Sequence, residues 1–173
     1  MGRSLIINEN RGAYTVKISF QSKPKRSFTA VIDTGAYVTA VPSVILSNLY
    51  PSYTEFLVSN LKNRFDVRLN AAHGKPVNNM AALLRYMNIG NLSIDRLNCV
   101  VTLSSSSLIL LGMDFITSFD SVIISNGIMN MYEFNESEYE NNLIRYYGNA
   151  TPYELNALYT DPIGSLLSAG DKM

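Results

Sequence analysis

Apolar and polar residues alternate along several short stretches of the chain, and this pattern is typical of β-strands with one buried face. The clearest stretch is residues 13–20, where every second residue from Tyr14 onward is apolar. Residues 28–32 are apolar almost throughout, which predicts a more deeply buried strand. The polar segment between these two stretches contains Pro24 and predicts a hairpin loop.

The rest of the chain continues this pattern, with many short strands and few helices. Further strands are predicted at residues 37–41, 66–72, 77–89, 92–103, 108–111, 122–125 and 128–132. Helices are predicted at residues 42–49 and 151–159, with one helical turn at 113–116 and either a helix or a long loop at 54–65. Asn126-Gly127 predicts a tight hairpin turn. Together these elements indicate a mainly β fold, a barrel or a sandwich, up to about Tyr132.

Composition and charge suggest one globular domain followed by an extension. The 173 residues are 47% hydrophobic and 16% charged, as in an ordinary folded domain. Residues 1–132 hold 12 basic against 7 acidic side chains, whereas residues 133–173 hold 2 against 7. We therefore expect a domain at 1–132 and an acidic, tyrosine-rich, partly helical extension at 133–173. The basic side chains are scattered, so we expect no nucleic-acid partner.

Cysteine usage and hydropathy bear on where the protein resides. Cys99 is the single cysteine, so an intramolecular disulfide is excluded, and its apolar strand favours a core position over a nucleophilic role. The apolar runs are far shorter than the ~18 residues that a membrane-spanning helix needs, and no signal peptide is recognisable. We expect a soluble, cytoplasmic protein without a membrane partner.

The candidate chemistry begins with a carboxylate at the end of a buried strand. Asp33 follows the apolar run of residues 30–32 directly. Burying an ionised acid is strongly unfavourable unless it is hydrogen-bonded or serves a function. Thr34 adds a hydroxyl that both donates and accepts, and Gly35 permits a tight turn.

A second motif lies about eighty residues later, where Leu110-Leu111-Gly112 precedes Met113-Asp114-Phe115. Together with Asp33-Thr34-Gly35-Ala36, this motif resembles the retroviral-type, or retropepsin-like, aspartic proteases over residues 13–132. The viral enzymes usually carry Asp at the position of Tyr37 and Arg at the position of Met113. The chain is therefore more similar to the cellular and bacterial relatives.

The resemblance implies a closed or partly open β-barrel of the acid-protease type with a single lobe. In this fold one strand passes through a loop formed by another, and Leu111-Gly112 packs beside the catalytic loop. Short helices are expected after the catalytic loop and near the Leu-Leu-Gly turn, with a helical extension at the C-terminus.

The resemblance also implies a catalytic site made by two chains. Aspartic proteolysis uses two carboxyl groups that share one proton, and the sequence contains one Asp-Thr-Gly. We therefore expect a homodimer in which Asp33, Thr34 and Gly35 of each chain form the catalytic site and each Thr34 hydroxyl bonds to the partner loop. No metal and no organic cofactor are expected.

The expected substrate is a polypeptide in extended form. By the resemblance, Ala36 offers backbone groups to it, and the hairpin around His73-Gly74 closes over it as a flap. The alternative is a non-catalytic relative, in which the same dimeric fold is a peptide-binding or scaffold module.

Two features outside the motif are interpreted as structural. Asp114 is favoured as a cap of the helical turn rather than as a catalytic group. The tyrosines of the extension are favoured as a cover for a hydrophobic patch, although the extension could also brace the dimer or block the cleft.

Overall fold

The structure is a computed structural model, and it describes residues 3–21, 23–49, 67–70, 76–103, 106–148 and 153–154. Strands dominate these residues, as the alternating sequence predicts. The strands are β1 Leu5–Asn10, β2 Ala13–Phe20, β3 Lys23–Ile32, β4 Ala40–Pro42, β5 Val67–Asn70, β6 Pro76–Ile89, β7 Leu92–Thr102, β8 Ile109–Leu111, β9 Phe119–Ser125, β10 Ile128–Phe134 and β11 Tyr153–Glu154. The helices are α1 Ser43–Leu49, α2 Met113–Ile116 and α3 Glu136–Tyr147.

Six strands close into a mixed barrel, so the predicted mainly β barrel is confirmed. Their order is β6-β7-β4-β8-β3-β2, and β2 pairs back onto β6 to close the ring. The β3–β8 and β4–β7 pairs are parallel, and the other pairs are antiparallel. Because β3 and β8 run in parallel, the segments that follow them leave the barrel side by side.

A second group of strands continues from β2 through β1 and β10 to β9. The predicted turn at Asn126-Gly127 joins β9 to β10, and both residues have the positive φ that this tight turn requires, 51° and 73°. Among the described strands, β9 is hydrogen-bonded on one side only, so it is an edge of the sheet.

The interior of the barrel is apolar, and an aromatic group extends it towards α3. Phe115 lies within ring-contact distance of Phe119, Phe134 and Tyr139, with ring centroids 5.3 to 6.2 Å apart. All four rings are buried. Tyr139 belongs to α3, so this helix is part of the main core.

The helix prediction at 42–49 is confirmed by α1, whereas the prediction at 151–159 is wrong where it can be compared. Tyr153–Glu154 is extended and pairs in parallel with β6. The helix of this region lies earlier, because the side chain of Asn135 accepts a hydrogen bond from the Glu138 amide at 3.0 Å and so begins α3. Residues 54–65 lie outside the described residues.

Candidate active site

The Asp33 loop leaves the barrel at the end of β3, beside the end of β8. The Asp33 amide donates to the Leu111 carbonyl at 2.9 Å, which extends the β3–β8 pairing by one bond. Leu111 is fully buried at this point. The two sequence motifs, which lie far apart along the chain, are therefore adjacent in space.

The loop then folds back on the Asp33 carboxylate. The Gly35 amide donates to Asp33 Oδ1 at 2.9 Å, and the Ala36 amide donates to the Asp33 carbonyl at 3.1 Å. Asp33 is half-buried, while Thr34 is exposed and its side chain bonds to none of the described residues. Among those residues, no donor contacts Asp33 Oδ2. One carboxylate oxygen is thus held in place, and the other has no donor among the described residues.

Gly112 lets the two motifs approach each other closely. A Cβ atom at this position would lie 2.5 Å from the Val38 carbonyl carbon and 2.8 Å from the Ala36 carbonyl oxygen. Contacts this short do not occur for real Cβ atoms, so glycine is required here. The Met113 amide also donates to the Ala36 carbonyl at 2.9 Å. The amide and the carbonyl of Ala36 are therefore both engaged within the chain, and its contact with substrate stays a prediction.

A buried carboxylate lies behind the loop. Asp114 is 1% exposed, and its Oδ1 accepts from the Thr39 hydroxyl at 2.8 Å and from the Thr39 amide at 2.9 Å. The Phe115 amide donates to the same oxygen at 2.9 Å. The Thr39 hydroxyl in turn accepts from the Gly112 amide at 3.2 Å. Thr39, three residues after Ala36, thus bonds to both Asp114 and Gly112.

The last residue of α3 completes the bonding of this carboxylate. The Tyr147 hydroxyl donates to Asp114 Oδ2, and both side chains are buried. Burial raises the pKa of Asp114 from its ordinary value of 3.8, although the bonds from Tyr147 and Thr39 act in the opposite direction. The prediction that Asp114 caps a helical turn is wrong, because the residue before α2 is Gly112 and Asp114 lies inside the helix, bonded across to Thr39.

Tyr37 forms a second contact between the loop and α3. Its ring centroid lies 4.8 Å from that of Tyr146, and its hydroxyl donates to the Arg145 carbonyl at 3.3 Å. The side chain is still 55% exposed. The residue at which the chain departs from the viral pattern therefore packs on the end of α3.

The strands β5 and β6 form an antiparallel hairpin at the predicted flap, with Asn70 opposite Pro76. The predicted flap residues His73 and Gly74 lie outside the described residues. Their contact with substrate stays a prediction.

Sequence reasoning missed Thr39, Tyr147 and Asn142. The Asn142 side-chain amide donates to the Asp114 carbonyl at 2.9 Å and so joins α3 to α2. One signal was available, because Thr39 is a polar residue inside an apolar segment. Nothing in the local sequence marks Tyr147 as a partner of a residue 33 positions earlier.

The remaining sequence candidates are structural. Cys99 is fully buried, and burial raises the pKa of its thiol far above the ordinary value of 9.0, so its predicted core position is confirmed. Among the described residues, no group of three His, Cys, Asp or Glu side chains is placed to hold a metal ion. The described helices include none that is long and apolar enough to cross a bilayer.

Comparison with known proteins agrees with this geometry. No curated protein matches the chain. The solved structure of a retropepsin-like aspartic protease from Rickettsia conorii is similar, with a TM-score of 0.54 and 17% sequence identity over 77% of this chain and 92% of that one. The sequence profile described as "gag-polyprotein putative aspartyl protease" matches residues 20–118, more than half of the chain and a stretch that contains both motifs. The chain therefore belongs to this retropepsin-like family of aspartic proteases.

Proposed function

We propose that the protein is a homodimeric aspartic endopeptidase in which Asp33 of each chain supplies one carboxyl group of the catalytic pair. The observation that carries this proposal is the half-buried Asp33 carboxylate, which is held through Oδ1 by the Gly35 amide and has no donor to Oδ2 in the part of the chain that the structure describes. A carboxylate fixed in this way, on a loop anchored to the barrel, is preorganised to act on a water molecule.

The proposed reaction is the hydrolysis of a peptide bond by water. One Asp33 carboxylate takes a proton from the water as its oxygen attacks the scissile carbonyl, and the other, protonated Asp33 donates its proton to the carbonyl oxygen. Collapse of the tetrahedral intermediate breaks the C–N bond, and a proton passes to the leaving nitrogen. The products are a new carboxylate and a new amine, and no cofactor takes part.

The need for a second chain is supported by the burial and hydrogen bonding of Asp114, the other aspartate close to the loop. Asp114 accepts hydrogen bonds from Thr39, Phe115 and Tyr147 and is buried, so it is not free to face Asp33. Thr34, in contrast, is exposed and bonds to none of the described residues. A copy of the same loop across a two-fold axis would supply both the second carboxyl group and a partner for Thr34.

The proposed substrate is an extended polypeptide that lies between the Asp33 loop and the β5–β6 hairpin. Lid hairpins exclude water and commit the substrate. The proposed lid is the antiparallel pair formed by residues 67–70 of β5 and 76–79 of β6. The proposed location is the cytoplasm, for which a lone buried Cys99 is suited.

The test compares the wild type with Asp33→Asn on an unstructured protein, at mildly acidic and at neutral pH. We expect cleavage by the wild type and none by the variant, because an amide cannot act as the general base. Asp95→Asn is the matched control, since Asp95 is exposed on β7, and it should cleave like the wild type.

Two outcomes contradict the proposal. Equal cleavage by wild type and Asp33→Asn would mean that another group acts on water. If neither protein cleaves but both bind the unstructured protein, the fold is instead the non-catalytic peptide-binding module.

A further inference from the structure

The last turn of α3 contacts the catalytic loop through two adjacent tyrosines. Tyr146 packs its ring on Tyr37, which lies two residues after Gly35. Tyr147 points to the other side and donates its hydroxyl to Asp114 Oδ2. Tyr146 therefore contacts the loop directly, whereas Tyr147 contacts Asp114, which is bonded to Thr39 at the end of the loop.

Three groups of hydrogen bonds, joined by one packing contact, lead from Tyr147 to the catalytic residue. Asp114 Oδ1 accepts from the Thr39 amide and hydroxyl, and that hydroxyl accepts from the Gly112 amide. Gly112 lies against Ala36, whose amide bonds to the Asp33 carbonyl. Each step is a direct contact between residues that the structure describes.

Packing supports the same connection. The Tyr147 ring forms a small buried cluster with Val38, Ala81 and Val100, apart from the main core. Val38 belongs to the loop and touches Gly112. Among the described residues, Tyr147 is also the only donor to Asp114 Oδ2, so without its hydroxyl a buried carboxyl oxygen would have no partner.

We propose that Tyr147, aided by Tyr146, is a positioning residue of the active site and holds the Asp33 loop in its catalytic conformation through Asp114 and Thr39. The residues after the barrel thus take a part in catalysis without touching the reacting atoms. This inference rests on the proposed function for its kinetic consequence, but its structural consequence can be measured without catalysis.

The test variant is Tyr147→Phe, which removes the hydroxyl and keeps the ring. Tyr139→Phe is the matched control, because Tyr139 lies on the same helix, is equally buried and loses a hydrogen bond of similar length, the one it accepts from the Asn98 amide at 2.7 Å. Tyr139 packs against the Phe115 cluster instead of the loop. Both substitutions should lower global stability. A difference between the two variants in hydrogen exchange of the loop or in kcat therefore reports on the loop itself.

The first measurement is amide hydrogen exchange in a peptide covering residues 33–39. This peptide includes the amides of Asp33, Gly35, Ala36 and Thr39, all of which are hydrogen-bonded. We expect Tyr147→Phe to speed this exchange about tenfold, as the loss of one bond to a charged group implies, while Tyr139→Phe leaves the peptide near the wild-type rate. Equal acceleration in both variants, or none in either, would overturn the inference.

The second measurement is steady-state peptide hydrolysis. A misplaced catalytic group slows the chemical step more than it weakens substrate binding, so Tyr147→Phe should lower kcat about tenfold with little change in KM, and Tyr139→Phe should keep kcat. Inactive wild type would refute the proposed function and leave the exchange result to decide this inference. An unchanged kcat in Tyr147→Phe would overturn it.

A milder variant keeps the proposal testable if Tyr147→Phe does not fold. Tyr146→Leu removes the ring contact with Tyr37 from a half-buried position. We expect faster exchange in the 33–39 peptide here too. Wild-type exchange in this variant would mean that the end of α3 does not hold the loop, and would overturn the inference.

Discussion

Asp33 and Asp114 are two aspartates joined by one hydrogen-bonded loop, and their surroundings suit opposite roles. Asp33 is half-buried, and the described residues offer its Oδ2 no donor, whereas Asp114 is buried with both oxygens bonded. A group that must exchange protons with water and substrate needs access to them. The first arrangement therefore suits chemistry, and the second suits support of the loop.

The raised pKa of Asp114 has a consequence for stability. The folded chain holds this proton more tightly than the unfolded chain does, because burial outweighs the hydrogen bonds from Tyr147, Thr39 and Phe115. The stabilising contribution is therefore complete below the unfolded value of 3.8 and is lost as the pH rises through the folded value.

We predict that Asp114→Asn removes this part of the pH dependence. The amide has nearly the same shape and does not titrate, so the difference in free energy of unfolding between wild type and variant should shift in the variant's favour as the pH rises above about 4. Urea unfolding of both proteins over a pH series measures this difference. A difference that does not vary with pH would contradict the assigned pKa shift.

Among single residues, the sequence predicted the candidate site residues that lie next to each other in the chain. Asp33, Thr34 and Gly35 are consecutive, and Leu111-Gly112 is a short motif of its own, so both could be recognised from adjacent letters. Thr39 and Asp114 are 75 positions apart. Their pairing depends on how β3, β4 and β8 meet, which no local pattern encodes.

Among the elements, the strands were predictable and the last helix was not. Alternation located β2, and the Asn126-Gly127 turn located the β9–β10 hairpin, because both signals act within a few residues. The sequence did not predict helix α3, because its first turns are charged. Apolar or aromatic residues nevertheless recur every four residues along it, at Tyr139, Leu143 and Tyr147. Those tyrosines are buried only because the barrel offers them a surface.

The buried face of α3 gives a prediction about the boundary near residue 132. A chain ending at residue 134 would leave the Phe115 cluster without Tyr139, and losing a buried aromatic side chain of this size costs about 3–5 kcal/mol. We expect this chain to unfold at much lower temperature than one ending at residue 148, which keeps the helix. Thermal unfolding of the two chains compares them. Equal midpoints would mean that residues 1–134 fold alone and that α3 is dispensable.

At the scale of the whole molecule, the described residues include one apolar sheet edge that a second copy would cover, the edge formed by β9. Ile123 and Ile124 point to opposite faces of this strand, and both are more than half exposed. An open edge strand with apolar side chains tends to pair with another strand, and two copies of the same edge can pair about a two-fold axis. Pairing at this edge would bury the Ile123 and Ile124 side chains, which the single chain leaves exposed.

We predict that Ile123→Lys weakens the dimer, because a charge on the edge strand opposes pairing. Ile144→Lys is the control, since Ile144 is 77% exposed but lies on α3. Sedimentation of both variants over a range of concentrations measures the dissociation constant. If Ile144→Lys dissociates the dimer and Ile123→Lys does not, the interface lies on α3.

The central claim, that each site needs Asp33 from two chains, is tested most directly by mixing subunits. Wild type and Asp33→Asn are unfolded together in varied proportions, refolded, and assayed for peptide hydrolysis at constant total protein. If two wild-type loops form one site, activity follows the square of the wild-type fraction, so an equal mixture retains about a quarter of the full activity. Activity that falls in direct proportion to the wild-type fraction would mean that one chain holds a complete site, and would contradict the account.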